Sequence, residues 1–246
     1  MAVSHLHLSR SRALLSVVLA ALVVALVPIA ARTAQAAATL NVPADYPTIQ
    51  DAVDAALPGD TVLVAPGTYG GISIATDDIS IVSVAGPADT VIDGETVEFR
   101  DVTGGLLQGF TVQGARTGVV VVGRAFDVVI AGNVIQDNTN GGVLASGSDL
   151  VIRDNTLLRN KKACRGMGIL AYPEAGATIL VEGNYVAEAR SGNCAYTSGG
   201  GIAADGKGHV VLRDNEITNN VTTSGGSAID INTTGDIVVE DNHVYG

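Results

Sequence analysis

Gly132-Asn133-Val134-Ile135, Asp154-Asn155-Thr156-Leu157, Gly183-Asn184-Tyr185-Val186, Asp214-Asn215-Glu216-Ile217 and Asp241-Asn242-His243-Val244 are five copies of one pattern. A short apolar run precedes each: Val128-Val129-Ile130, Leu150-Val151-Ile152, Ile179-Leu180-Val181, Val210-Val211-Leu212 and Ile237-Val238-Val239. A weaker copy, Leu107-Gln108-Gly109-Phe110-Thr111-Val112, comes first, and the spacings are then 23, 22, 29, 31 and 27 residues. Units of this length mean a solenoid. Apolar runs of four or five residues broken by Gly and Asn are strands, so helical repeats are excluded. A second strand recurs between the asparagines, at Val119-Val120-Val121, Val143-Leu144-Ala145, Ile169-Leu170-Ala171, Ile202-Ala203-Ala204 and Ile229-Asp230-Ile231. Three short strands per turn predict a parallel β-helix, its coils stacked about 4.8 Å apart.

Upstream, Val42-Pro43-Ala44-Asp45-Tyr46-Pro47-Thr48-Ile49-Gln50 and Pro58-Gly59-Asp60-Thr61-Val62-Leu63-Val64-Ala65-Pro66-Gly67-Thr68-Tyr69 resemble the entry segment of right-handed parallel β-helix proteins of the pectin-lyase-like superfamily. The asparagine repeats resemble their coils. The resemblance implies an all-β, right-handed parallel β-helix with a short N-terminal capping α-helix. The superfamily holds polysaccharide lyases, hydrolases, epimerases, adhesins and copper-loading periplasmic proteins, and fold alone does not choose among them. No catalytic motif of these enzymes matches here.

The cap is legible in the residues. Thr48 precedes Asp51 as in a capping box, and Ile49, Ala52, Val53, Ala56 and Leu57 make one apolar helical face before Pro58-Gly59 stops it. Residues 37–60 therefore read as entry segment and capping helix, and 61–246 as coils with an uncapped C-terminal end. Residues 1–36 read as a signal peptide: Arg10 and Arg12, an apolar run from Ala13 to Ala30, and Ala34-Gln35-Ala36 as cleavage site. This predicts a secreted, extracellular protein with no membrane association after cleavage.

The chain carries 14 basic and 25 acidic residues, a charge of −11. Without the three arginines of the leader, 11 basic residues face 25 acidic ones, a charge of −14. Nucleic acid is excluded as a partner, since phosphate binding needs a basic face. Export makes Cys164 and Cys194 a disulfide pair: they stand nine and ten residues after Asn155 and Asn184, nearly the same phase of adjacent coils.

Each remaining candidate has a structural alternative. Asn133, Asn155, Asn184, Asn215 and Asn242 read as a ladder, each asparagine taking the left-handed turn and bonding the next coil; Asn138, Asn160 and Asn220 read likewise. Two residues before the ladder, Ala131, Arg153, Glu182, Arg213 and Glu240 alternate in sign and predict an ion-pair stack. Four before it, Val129, Val151, Leu180, Val211 and Val238 predict an outward apolar stripe, a surface for self-association. Lys161, Lys162 and Arg165, with Arg190, Tyr172 and Tyr196, form a candidate cradle for uronate carboxylates. Asp205, Asp230 and Lys207 are the catalytic candidates: a carboxylate pair for hydrolysis, or base and cation for a lyase or epimerase, with calcium as a ligand of the two aspartates. Copper is disfavoured, because beyond the leader the soft donors are only His209, His243, Met167 and the two cysteines. The reading is a secreted protein that binds or processes acidic polysaccharide. The alternative is a non-catalytic surface or adhesive solenoid acting through self-association or partner binding.

Overall fold

The structure, a computed structural model, describes residues 36–161, 165–191, 199–222 and 228–246. Lys162, Cys164, Cys194 and Tyr196, and the leader but for its last residue, lie outside the described residues. So does the disulfide pairing.

One coil shows how sequence becomes architecture. Leu150–Arg153 is a strand, Asp154 turns the chain, Thr156–Leu158 is a second strand, Ile169–Pro173 a third, and Thr178–Glu182 begins the next coil. Thr178–Glu182 pairs in parallel with Leu150–Arg153, with Leu150 against Ile179 and Ile152 against Val181. Repetition gives three parallel sheets of nine, seven and eight strands. The described residues form a right-handed parallel β-helix of about seven turns, with one short helix among them.

Because the register never slips, identical phases stack. Leu40, Val62, Ile81, Leu107, Ile130, Ile152, Val181 and Leu212 form one inward column of the nine-stranded sheet. All are buried. Each such side chain contributes roughly 1.5–3 kcal/mol on leaving water.

The helix is Ile49–Ala55, shorter than its apolar pattern. The Asp51 amide donates to Thr48 Oγ1 at 3.1 Å, and Thr48 Oγ1 donates to Asp51 Oδ2 at 2.6 Å. Ile49, Ala52 and Val53 are buried against the first coils, but Leu57 is 47% exposed. The chain has already become extended at Ala56, so Leu57 leaves the helical phase. The entry segment also supplies a strand, Thr39–Val42, in register with Thr61–Val64.

The asparagines form a continuous buried ladder. Asn155 Oδ1 accepts from the Asn133 amide at 3.0 Å and from Asn133 Nδ2 at 3.1 Å, while Asn155 Nδ2 donates to Ile130 O at 2.9 Å. The same arrangement recurs through Asn184, Asn215 and Asn242. Phe110 takes the first rung, where its amide donates to Asn133 Oδ1 at 3.0 Å. The left-handed residue is not the asparagine but the one before it: Gly132, Asp154, Gly183, Asp214 and Asp241 have φ between 53° and 64°. Gly and Asp tolerate that region, which is why the repeats read G/D-N. The second ladder joins Asn138 to Asn160, and Asn220 Oδ1 accepts from the amide of Ala189.

Arg153, Glu182, Arg213 and Glu240 stack in register on the outer face of the nine-stranded sheet. Glu182 pairs with Arg213 at 2.7 Å, and Arg213 lies 3.9 Å from Glu240. Arg153 turns instead to Asp154 at 2.7 Å, its own neighbour. Glu182→Lys places a third cation between Arg153 and Arg213. It is expected to lower the melting temperature further than Glu182→Ala, with the excess relieved in 1 M salt. Equal melting temperatures would contradict the stack. On the same face Val129, Val151, Leu180 and Val211 are half-buried between buried neighbours, Val238 is exposed, and Leu106 extends the column.

Candidate functional site

The two long spacings, 29 and 31, insert residues ahead of Ile169–Pro173 and Ile202–Gly206, adjacent strands of the seven-stranded sheet. The insertions meet where the Gly166 amide donates to Gly199 O at 2.9 Å. Both glycines are required. Gly166 has φ +53°, and a Cβ there would lie 2.4 Å from Ile169 O. Gly199 has φ +58°, and a Cβ would lie 2.9 Å from the Cβ atoms of Ala203 and Asp230. The backbone thus settles onto the outer face of the sheet. Ala203, on the outward phase of its strand, is therefore fully buried.

This approach carries Arg165 across two further coils. Its Nη1 donates to Asp205 Oδ2 at 2.6 Å, and its Nη2 and Nε donate to Asp230 Oδ2 at 2.8 and 3.2 Å. Partial burial works against the guanidinium charge; the hydrogen bonds to Asp230 and Asp205 outweigh it and raise the arginine pKa. Of the sequence candidates, the structure brings together Arg165, Asp205 and Asp230. The aspartates, expected as a metal pair or as acid and base, both face one guanidinium. Among the described residues, no group of three or more His, Cys, Asp or Glu is placed to hold a metal ion.

Beside Arg165 lies a groove of about 240 Å³, bordered by Thr117, Asn140, Leu144, Leu170 and Tyr172. Leu144 and Leu170 are adjacent in register, as are Ser146 and Tyr172 two residues on. Leu144 and Leu170 make the apolar floor, with the 37%-exposed ring of Tyr172 beside it. Lys161 and Arg190 stack as a bridge on adjacent coils, both exposed, in the turns that lead into this sheet. Lys207 stands elsewhere: it follows Gly206, and its amide donates to Pro173 O at 3.0 Å, beyond the opposite end of the strands. A second depression, of about 470 Å³, includes Gln50, Ser73, Glu95, Glu98 and Arg116. Ser73, Glu98, Val120, Leu144 and Leu170 occupy one register column, so both depressions lie along the seven-stranded sheet.

The groove presents an exposed aromatic ring, an aliphatic floor, the Asn140 amide, the Thr117 hydroxyl and one guanidinium that is paired with two carboxylates. Strand order and register define the described residues as a parallel β-helix. Residues 53–246 match the family model described as periplasmic copper-binding protein (NosD), and the chain belongs to that family. The chain is also similar to the human SHC SH2 domain-binding protein 1, with 30% identity over 141 residues, 54% of this chain and 20% of that protein. It thus spans about a fifth of that relative's length. Two crystal structures of the Aspergillus niger pectin methylesterase are similar at 15% and 14% identity. Their TM-scores are 0.43 and 0.40; the similarity covers 80% and 81% of this chain and 85% of each of theirs.

Proposed function

We propose that this protein is exported and binds acidic polysaccharide in the groove on its seven-stranded sheet. The observation that carries the reading is Arg165 beside Tyr172, Leu144 and Leu170, with Lys161 and Arg190 stacked on the turns that lead into the same sheet, in a chain otherwise strongly acidic. Local cations concentrate a polyanion that the rest of the surface repels. The family's description as periplasmic supports export.

Copper, named in the family description, does not fit the described residues. His209 lies on the nine-stranded sheet with Nδ1 accepting from the Asp236 amide, His243 lies on the eight-stranded sheet, and Met167 is fully buried. A second reading, a scaffold associating through the nine-stranded sheet, has the stacked valines and leucines in its support.

The test is retention of the protein lacking residues 1–36 on immobilised polygalacturonate and on a neutral glucan, with sedimentation equilibrium alongside. Retention on the polyuronate alone, reduced at least tenfold in Lys161→Ser/Arg190→Ser, is expected. A protein that passes both columns and dimerises would replace this reading with the second.

A further inference from the structure

Arg165 borders the groove, yet its Nε, Nη1 and Nη2 already donate to carboxylates of its own chain. Asp205 and Asp230 come from the next two strands of the same sheet, 40 and 65 residues further on. A guanidinium fork recognises a planar carboxylate whatever its source, a uronate or an aspartate. We propose that Asp205 and Asp230 are built-in competitors for the groove's ligand: they occupy Arg165 when the groove is empty and set which anions displace them. The proposal rests on the polyuronate reading.

Two consequences follow from charge. A ligand carboxylate gains Arg165 only by exchanging with Asp205 or Asp230, so the free energy of the internal pairs is subtracted from affinity. The released aspartates then stand beside the ligand and repel it, so weak or isolated carboxylates are rejected and a polymer presenting several is accepted. The glycine contact at Gly166 and Gly199 keeps the guanidinium within reach in either state. The two aspartates are thus specificity determinants, and their removal changes binding in the direction opposite to the loss of a catalytic acid or base.

The experiment measures the dissociation constant for a galacturonate hexamer and for monomeric galacturonate with the wild type, Asp205→Asn, and Asp205→Asn/Asp230→Asn. Asparagine keeps an oxygen to accept from Arg165, so the fold is retained, and circular dichroism checks this. The expected result is tighter binding in each variant. The double variant should gain about tenfold or more for the hexamer and acquire measurable affinity for the monomer. Wild-type binding with unchanged or weakened binding in folded variants would overturn the proposal while leaving the polyuronate reading in place. Absence of binding in all three proteins would instead overturn that reading, and the proposal with it.

Discussion

Asn155→Ala is expected to destabilise the protein by about 3–5 kcal/mol, more than any surface substitution. The side chain is 1% exposed. Its removal takes the acceptor of the Asn133 amide, one of the two acceptors of Asn133 Nδ2, whose other is Leu107 O, and a donor to Ile130 O. An unsatisfied buried polar group costs about 1–3 kcal/mol. Asn155→Asp keeps the acceptor, loses the donor and buries a charge, so it should be no milder. Asn242→Ala, on a half-buried rung, should cost less than half as much. Urea unfolding measures all three. A loss below 1 kcal/mol at Asn155 would show that the ladder is not what holds the coils in register.

Arg165→Met should cost about 2 kcal/mol and abolish polyuronate retention together. It removes three donors to Asp205 and Asp230 and takes from the two carboxylates the guanidinium they share. The stability loss should be mostly recovered in Arg165→Met/Asp205→Asn/Asp230→Asn, because no uncompensated charge then remains. The retention should not be recovered, because the guanidinium is absent. Stability restored without binding separates a ligand-contacting arginine from a merely structural one. A triple variant as unstable as the single one would place the loss in Arg165 packing rather than in charge.

The fold was legible because a solenoid repeats one local rule. Gly or Asp at the left-handed corner, Asn on the rung, and apolar residues at alternate positions recur until the register is the only arrangement that buries them all. The errors are equally local. Leu57 continued a helical pattern in letters, but the backbone had already left the helix at Ala56. The repeat letters alone do not distinguish the asparagine from its Gly or Asp neighbour as the left-handed residue, and it is the neighbour that turns. The site was less legible because it depends on two insertions outside the repeat. The basic cluster and the pair Asp205 and Asp230 were visible as separate features. Nothing in the sequence said that Gly166 and Gly199 would lower Arg165 onto the sheet and join them across 40 and 65 residues. Lys207, counted with the aspartates by proximity in sequence, sits beyond the end of its strand, where the chain has already turned toward the next sheet.

Amide chemical-shift mapping during titration with the galacturonate hexamer tests the binding account most directly. Shifts are predicted at Asn140, Gly141, Leu144, Arg165 and Tyr172, which line the groove, with none at Val151, Leu180 and Val211 on the nine-stranded sheet. A saturating response confined to the nine-stranded sheet, or no response at millimolar hexamer, would contradict it.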